Sequence, residues 1–119
     1  MSGKVIWFEV MGQDADKLQA FYSELFGWHL EPGPEWPDYG MLDVPEGSGG
    51  IGGGIGKAPE GPGWTTFYVQ VDDLEGALAK ANTLGAQVAM PPTPLPDGST
   101  IAMVKDPEGH PLGLVKPAA

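Results

Sequence analysis

Two short runs of this 119-residue chain place chemically capable side chains at alternate positions. From Lys4 to Met11, the residues Val5, Trp7, Glu9 and Met11 alternate with the apolar set Ile6, Phe8 and Val10. From Trp64 to Val71, the residues Trp64, Thr66, Tyr68 and Gln70 alternate with Phe67, Val69 and Val71. Tyr39 to Val44 is a third such run, with Tyr39, Met41 and Asp43 opposite Leu42 and Val44. If the apolar sets pack on helices, an indole and a carboxylate share the remaining face of one strand, and an indole, a hydroxyl and a phenol that of another. Such faces suit a planar or cationic small molecule: an aromatic face attracts a cation by ~0.5–2 kcal/mol, and a partly desolvated carboxylate adds a charge-assisted hydrogen bond of ~1.5–3 kcal/mol. The expected ligand-binding residues are Trp7, Glu9, Tyr39, Met41, Trp64, Thr66 and Tyr68. The plainer alternatives are that Glu9 reaches water and that the tryptophans fill the bottom of a small core.

Other chemistry finds little support. Without Cys there is no thiolate or disulfide. His29 follows the end of a helix and His110 follows the Gly of a tight turn, so both read as surface residues, and no Ser/His/Asp spacing or carboxylate pair stands out. No catalytic residue is assigned. Residues 47–63 hold nine glycines, and Gly47, Gly49 and Gly52 fit G-x-G-x-x-G, but no helix follows to present N–H groups to a phosphate. That segment reads as a thin strand, Gly50–Ile55, and a flexible Pro/Gly linker at about 57–63. Sixteen acids against six bases give a net charge of −10, which repels nucleic acid and anionic lipid. No apolar run approaches the ~20 residues of a membrane span and no signal peptide is recognisable, so a cytoplasmic protein is expected.

The elements that must position these residues are legible. Asp14 to Trp28 is a complete helix signature: Asp14 as N-cap, Asp16 in the first turn, Gly27 as the left-handed stop, and a stripe of Leu18, Phe21, Tyr22, Leu25 and Phe26 that needs a sheet to cover it. Asp72 to Gly85 repeats the pattern with Leu74, Ala77, Leu78 and Ala81. Short strands are expected at Trp28–Leu30, Tyr39–Val44, Gln87–Met90, Thr100–Val104 and Leu112–Val115, separated by Pro32–Pro37, Pro91–Pro96 and the turn Asp106-Pro-Glu-Gly109. The chain is thus one domain made of two copies of strand, helix and three strands, unit one at 1–57 and unit two at 64–119.

That order, with Phe21-Tyr-Ser-Glu-Leu-Phe-Gly-Trp28, Val71-Asp-Asp-Leu74 and Asp106-Pro-Glu-Gly109 at these spacings, resembles the vicinal oxygen chelate superfamily of glyoxalase I, bleomycin-resistance proteins and extradiol dioxygenases over nearly the whole chain. The resemblance implies an α+β fold in which two βαβββ units pair into a cup-shaped mixed sheet, helices outside and the non-helix strand faces lining a cleft. It also implies the positions of a divalent metal's His and Glu ligands. Those positions hold Trp7, Thr66 and, for the final Glu, Gly113, and Gly50–Ile55 contains no acid. Indole, hydroxyl and glycine do not make a site for Zn²⁺, Ni²⁺ or Fe²⁺. The expectation is a metal-free, cofactor-free homodimer that binds a small molecule, resembling the bleomycin-resistance branch. The alternative is a glyoxalase-like lyase or isomerase using the same cleft with unusual ligands or none.

Overall fold

The computed structural model describes residues 3–33 and 35–119. Pro34, within the proline run expected to be non-helical, lies outside them. Among the described residues eight strands and two helices follow one another as β1 (Val5–Gly12), α1 (Ala15–Phe26), β2 (Leu30–Pro32), β3 (Gly40–Leu42), β4 (Gly52–Lys57), β5 (Trp64–Gln70), α2 (Leu74–Thr83), β6 (Gln87–Pro94), β7 (Thr100–Lys105) and β8 (Pro111–Lys116). The fold is α+β, and the βαβββ order occurs twice, as the repeat in the sequence requires. The chain divides into two compact units, Trp7–Thr65 and Thr66–Ala119, the latter joined by the segment up to Ile6. That segment belongs there because Gly3 N–H donates to the Gln70 carbonyl at 2.8 Å and Gln70 N–H to the Lys4 carbonyl at 2.9 Å.

In the unit Trp7–Thr65, β1 runs parallel to β4, which pairs antiparallel with β3, and β3 pairs antiparallel with β2. Helix α1 starts where Asp14 Oδ1 accepts the Lys17 N–H at 3.1 Å, and stops where Gly27, at φ +71°, turns its N–H back to the Ser23 carbonyl. Its contact with the sheet is more polar than the stripe predicted. Gln19 lies against Gly40 and donates its amide to the carbonyls of Ile55 at 2.7 Å and Asp38 at 3.2 Å, while Leu18 approaches Gly12. Phe21, Leu25 and Phe26 remain 56–58% exposed. Tyr22 and Phe26 gather on Trp28, which stacks on Tyr22 at 6.1 Å and meets Phe26 at 4.9 Å and Phe8 at 5.7 Å.

The other unit repeats the connectivity, with β5 parallel to β8, β8 antiparallel to β7 and β7 antiparallel to β6. Asp73, rather than Asp72, caps α2 by accepting the Gly76 N–H at 3.0 Å. Here the stripe is covered: Leu74, Ala77 and Leu78 pack with Val71, Ala102, Val104 and Leu114, and Val69 and Ala81 flank them. Phe67, expected on that face, lies outside the cluster and is 46% exposed. Strand β6 continues through Pro91, Pro92 and Pro94, which were expected to separate strands. It is the outermost strand of its unit, and its register with β7 slips between Val88 and Met90 and again between Met90 and Thr93, so the missing N–H groups of three prolines are tolerated.

Two further boundaries moved. Strand β2 begins at Leu30, not Trp28, because Trp28 is taken up by the aromatic cluster, and β3 contracts to Gly40–Leu42. The segment between β4 and β5 is tied down rather than loose. Ala58 N–H donates to the Gly12 carbonyl at 2.8 Å, the Gln13 amide donates to the Gly61 carbonyl at 3.4 Å, and Gly63, at φ +96°, lies flat on the Met11 carbonyl.

Candidate ligand-binding site

Strand β4 reads Gly-Gly-Gly-Ile-Gly-Lys, and its glycines have a use that composition alone did not reveal. The register sets Trp7 beside Gly52, Phe8 beside Gly53 and Glu9 beside Gly54, and β3 sets Met41 on the far side of Gly54. Glu9, Gly54 and Met41 therefore form a row on the face away from α1. With no Cβ on β4, large rings lie directly on its backbone: Trp7 over Gly52, Tyr39 over Gly54 and Gly56, and Phe8 over Gly53 on the helix side. A Cβ on Gly54 would sit 1.9 Å from Tyr39 Cζ, and one on Gly53 would sit 2.1 Å from Phe8 Cε1. The glycine run is a trough for aromatic rings, which is why four glycines in one strand are not simply a loss of stability.

The rings in that trough carry a hydrogen-bond chain. Trp7 Nε1–H donates to Tyr39 Oη at 2.9 Å, the Tyr39 hydroxyl donates to the Glu9 carboxylate, and from the other side Trp64 Nε1–H donates to Glu9 Oε2 at 3.3 Å. Glu9 is 7% exposed, so it does not reach water as an edge carboxylate would. Burial first, then the Glu9 charge, hold the Tyr39 phenol well above its ordinary range despite the opposing Trp7 bond, so Tyr39 stays protonated and serves as a donor. Trp64 is delivered by Gly63: a left-handed residue without a side chain is needed there, because a Cβ would lie 1.9 Å from the Met11 carbonyl oxygen.

In the unit Thr66–Ala119 two of the expected side chains make contacts within that unit. Thr66 is buried and donates its hydroxyl to the Pro111 carbonyl at 2.6 Å, stitching β5 to β8. Tyr68 is buried with its ring on Gly113, its partner in the parallel register. The structure thus joins Trp7, Glu9, Tyr39 and Trp64 through hydrogen bonds, places Met41 in the row with Glu9, and places Thr66 and Tyr68 together on β5. The residues that sequence reasoning missed are the seats, Gly52, Gly54, Gly56 and Gly113. A signal was present, since glycines at alternate positions of a strand leave one face bare, but nothing said which rings would lie there.

The implied metal was tested against these residues and they do not fit. Thr66 spends its hydroxyl on a main-chain carbonyl, Trp7 offers an indole N–H with no lone pair, and the space a carboxylate would need at Gly113 holds the Tyr68 ring. Among the described residues no three His, Cys, Asp or Glu side chains gather as a metal site. Both histidines lie at the surface, His29 against Glu31 and His110 Nδ1 at 2.9 Å from Asp106 Oδ2. Asp106 also accepts the backbone N–H groups of Glu108 and His110, and the latter chiefly holds its carboxyl below the ordinary range, as befits a turn. A shallow cavity of about 180 Å³ at the start of α2, lined by Asp73, Glu75, Thr100 and Lys116 among others, contains none of the residues expected to bind ligand.

Comparison with known proteins bears on this arrangement. Residues 4–114 match the family model described as Glyoxalase/Bleomycin resistance protein/Dioxygenase superfamily. The chain is 31% identical over 114 residues to CFP32 of Mycobacterium tuberculosis and of Mycobacterium bovis, provisionally named a glyoxylase. The match covers 91% of this chain but 43% of the relative, so the chain spans less than half of that protein. Among solved structures it is similar to methylmalonyl-CoA epimerase from Mycobacterium tuberculosis (TM-score 0.68, 19% identity, 97% of this chain and 88% of that one). It is also similar to a superfamily member from Vibrio splendidus (0.66, 18%, 96% and 98%) and to Streptomyces coelicolor methylmalonyl-CoA epimerase in complex with 2-nitronate-propionyl-CoA (0.64, 21%, 100% of both). At these identities the structural likeness speaks to the fold.

Proposed function

We infer that this chain, which belongs to the Glyoxalase/Bleomycin resistance protein/Dioxygenase superfamily, binds a planar or cationic small molecule without a metal. The observation that carries the reading is the buried Glu9 carboxylate set among three rings, with Tyr39 and Trp64 as its donors. Placing a carboxylate in so dry an environment costs several kcal/mol unless it is well bonded, and a ligand N–H or cation adds to that bonding while a ring stacks on Trp7 or Trp64. Met41 borders the same row.

The test is calorimetric titration with N-methylquinolinium, a planar cation, beside quinoline-2-carboxylate, its anionic counterpart. Binding of the cation, preferred over the anion and weakened roughly tenfold or more by Glu9→Gln, is expected. Equal binding of both probes, no binding of either, or a preference that survives Glu9→Gln refutes the reading.

A second reading is favoured by the Tyr39–Glu9 pair itself, a protonated phenol on a buried carboxylate, and by relatives named as an epimerase and provisionally as a glyoxylase. In this reading the same residues serve an isomerase or lyase, with Glu9 taking a proton from the substrate. Exchange of substrate C–H for deuterium with a 2-methylmalonyl thioester, lost in Glu9→Gln, separates turnover from binding.

A further inference from the structure

Gly54 and Gly113 are equivalent positions, which the registers establish without alignment. Gly113 pairs with Tyr68, two residues past Thr66 on β5, and Gly54 pairs with Glu9, two residues past Trp7 on β1. Each stands on the last strand of its unit, beside the strand that carries the position where the resemblance expects a ligating His. A tyrosine ring lies on each. A Cβ at Gly54 would be 1.9–2.1 Å from the outer edge of the Tyr39 ring, and a Cβ at Gly113 would be 2.4–2.6 Å from Tyr68 Cδ2, Cε2 and Cγ. Real Cβ atoms essentially never approach closer than 3.0 Å.

Neither ring can step aside. The Tyr39 hydroxyl is held by two bonds, from the Trp7 indole at 2.9 Å and to Glu9, so its ring is anchored at the outer end. Tyr68 is 7% exposed, with its ring on Gly113, its partner on β8. The ring comes from β5 itself in one unit and from the residue just before β3 in the other. Two different routes thus reach the same arrangement, a glycine with a tyrosine laid on it.

We propose that Gly54 and Gly113 are ring seats: Tyr39 and Tyr68 occupy the space of the metal-ligating carboxylates, so the metal is excluded sterically and not merely for want of ligands. A carboxylate introduced alone at either position meets a ring, and only a paired change, glycine enlarged and tyrosine reduced, is accommodated. The proposal concerns stability and metal uptake, so it stands or falls separately from ligand binding.

The experiment is a double-mutant cycle at Gly113 and Tyr68, repeated at Gly54 and Tyr39, read by melting temperature. Gly113→Ala is expected to lower it by roughly 5–15 °C, as overpacking does, and Tyr68→Ala is expected to recover most of that loss when combined with it. Gly113→Glu, incubated with Zn²⁺, Ni²⁺ or Co²⁺ and dialysed, is expected to retain no more metal than the unaltered protein. If Gly113→Ala fails to fold, a soluble Gly113→Ala/Tyr68→Ala protein supports the seat, and a double variant that also fails overturns it. Additive losses in the cycle overturn it too, as does a Gly113→Glu protein that melts normally and holds about one metal ion per chain.

Discussion

Replacing Tyr39 by Phe removes one oxygen and leaves the ring in the glycine trough, so it isolates the hydrogen-bond chain from the packing. Two bonds are lost. Trp7 is half-buried, and its N–H, 2.9 Å from Tyr39 Oη, can turn partly to water, costing ~0.5–1 kcal/mol. Glu9 is 7% exposed and loses a donor to a carboxylate, costing ~1.5–3 kcal/mol. The sum is about 2–4 kcal/mol. At the usual unfolding entropy per residue, a chain of 119 residues loses about 4 °C of melting temperature per kcal/mol, so a fall of roughly 8–16 °C is expected. Trp7→Phe, which keeps a ring and removes the N–H at the far end, should cost only about 1 kcal/mol. Urea unfolding at neutral pH gives each value, and a cycle of Tyr39→Phe with Glu9→Gln should show a coupling of ~1–3 kcal/mol. The pH dependence supplies an independent check. Burial and then the Glu9 charge raise the Tyr39 pKa in the folded state above its unfolded value near 10. The folded state therefore holds this proton where the unfolded chain releases it, and the stabilisation present below about pH 10 declines as pH rises beyond it. Tyr39→Phe should flatten that decline relative to the unaltered protein. A loss below ~0.5 kcal/mol, no coupling to Glu9, or an unchanged alkaline slope would refute the hydrogen-bond chain.

Gly63→Ala should cost roughly 2–5 kcal/mol, since it sets a side chain at φ +96° and drives it into the Met11 carbonyl. In whatever folds, the Trp64 indole N–H should lose its Glu9-dependent shift in NMR spectra, whereas a shift that persists would show that Gly63 does not place Trp64. The protein should also run as a homodimer of about twice 12.5 kDa by light scattering, with the exposed Phe21, Leu25 and Phe26 of α1 as candidates for the buried surface. A particle of one chain's mass at tens of micromolar counts against it.

The repeat, both helices, the caps of α1, and the parity of β1 and β5 were all determined by the sequence. Asp14 and Gly27 bracket a helix through local hydrogen bonds and backbone conformation, and the two-residue period of a strand assigns faces once one set is apolar. The family resemblance rested on the same local signals, and the match over residues 4–114 agrees with it. Tertiary structure decided what lies on the faces. Alternation could place Trp7, Glu9 and Tyr39 on one side, but the glycines of β4 look like weak strand formers until the register sets each beneath a ring. The extent of helix burial was not legible either. The α1 stripe is stronger in sequence than that of α2, yet α2 is the one that is covered: Ala102, Val104 and Leu114 pack against it, while α1 meets its sheet chiefly through Gln19 at Gly40 and Leu18 at Gly12. Periodicity along one element records which way side chains point, and whether anything answers them depends on residues distant in the chain that only the fold brings within reach.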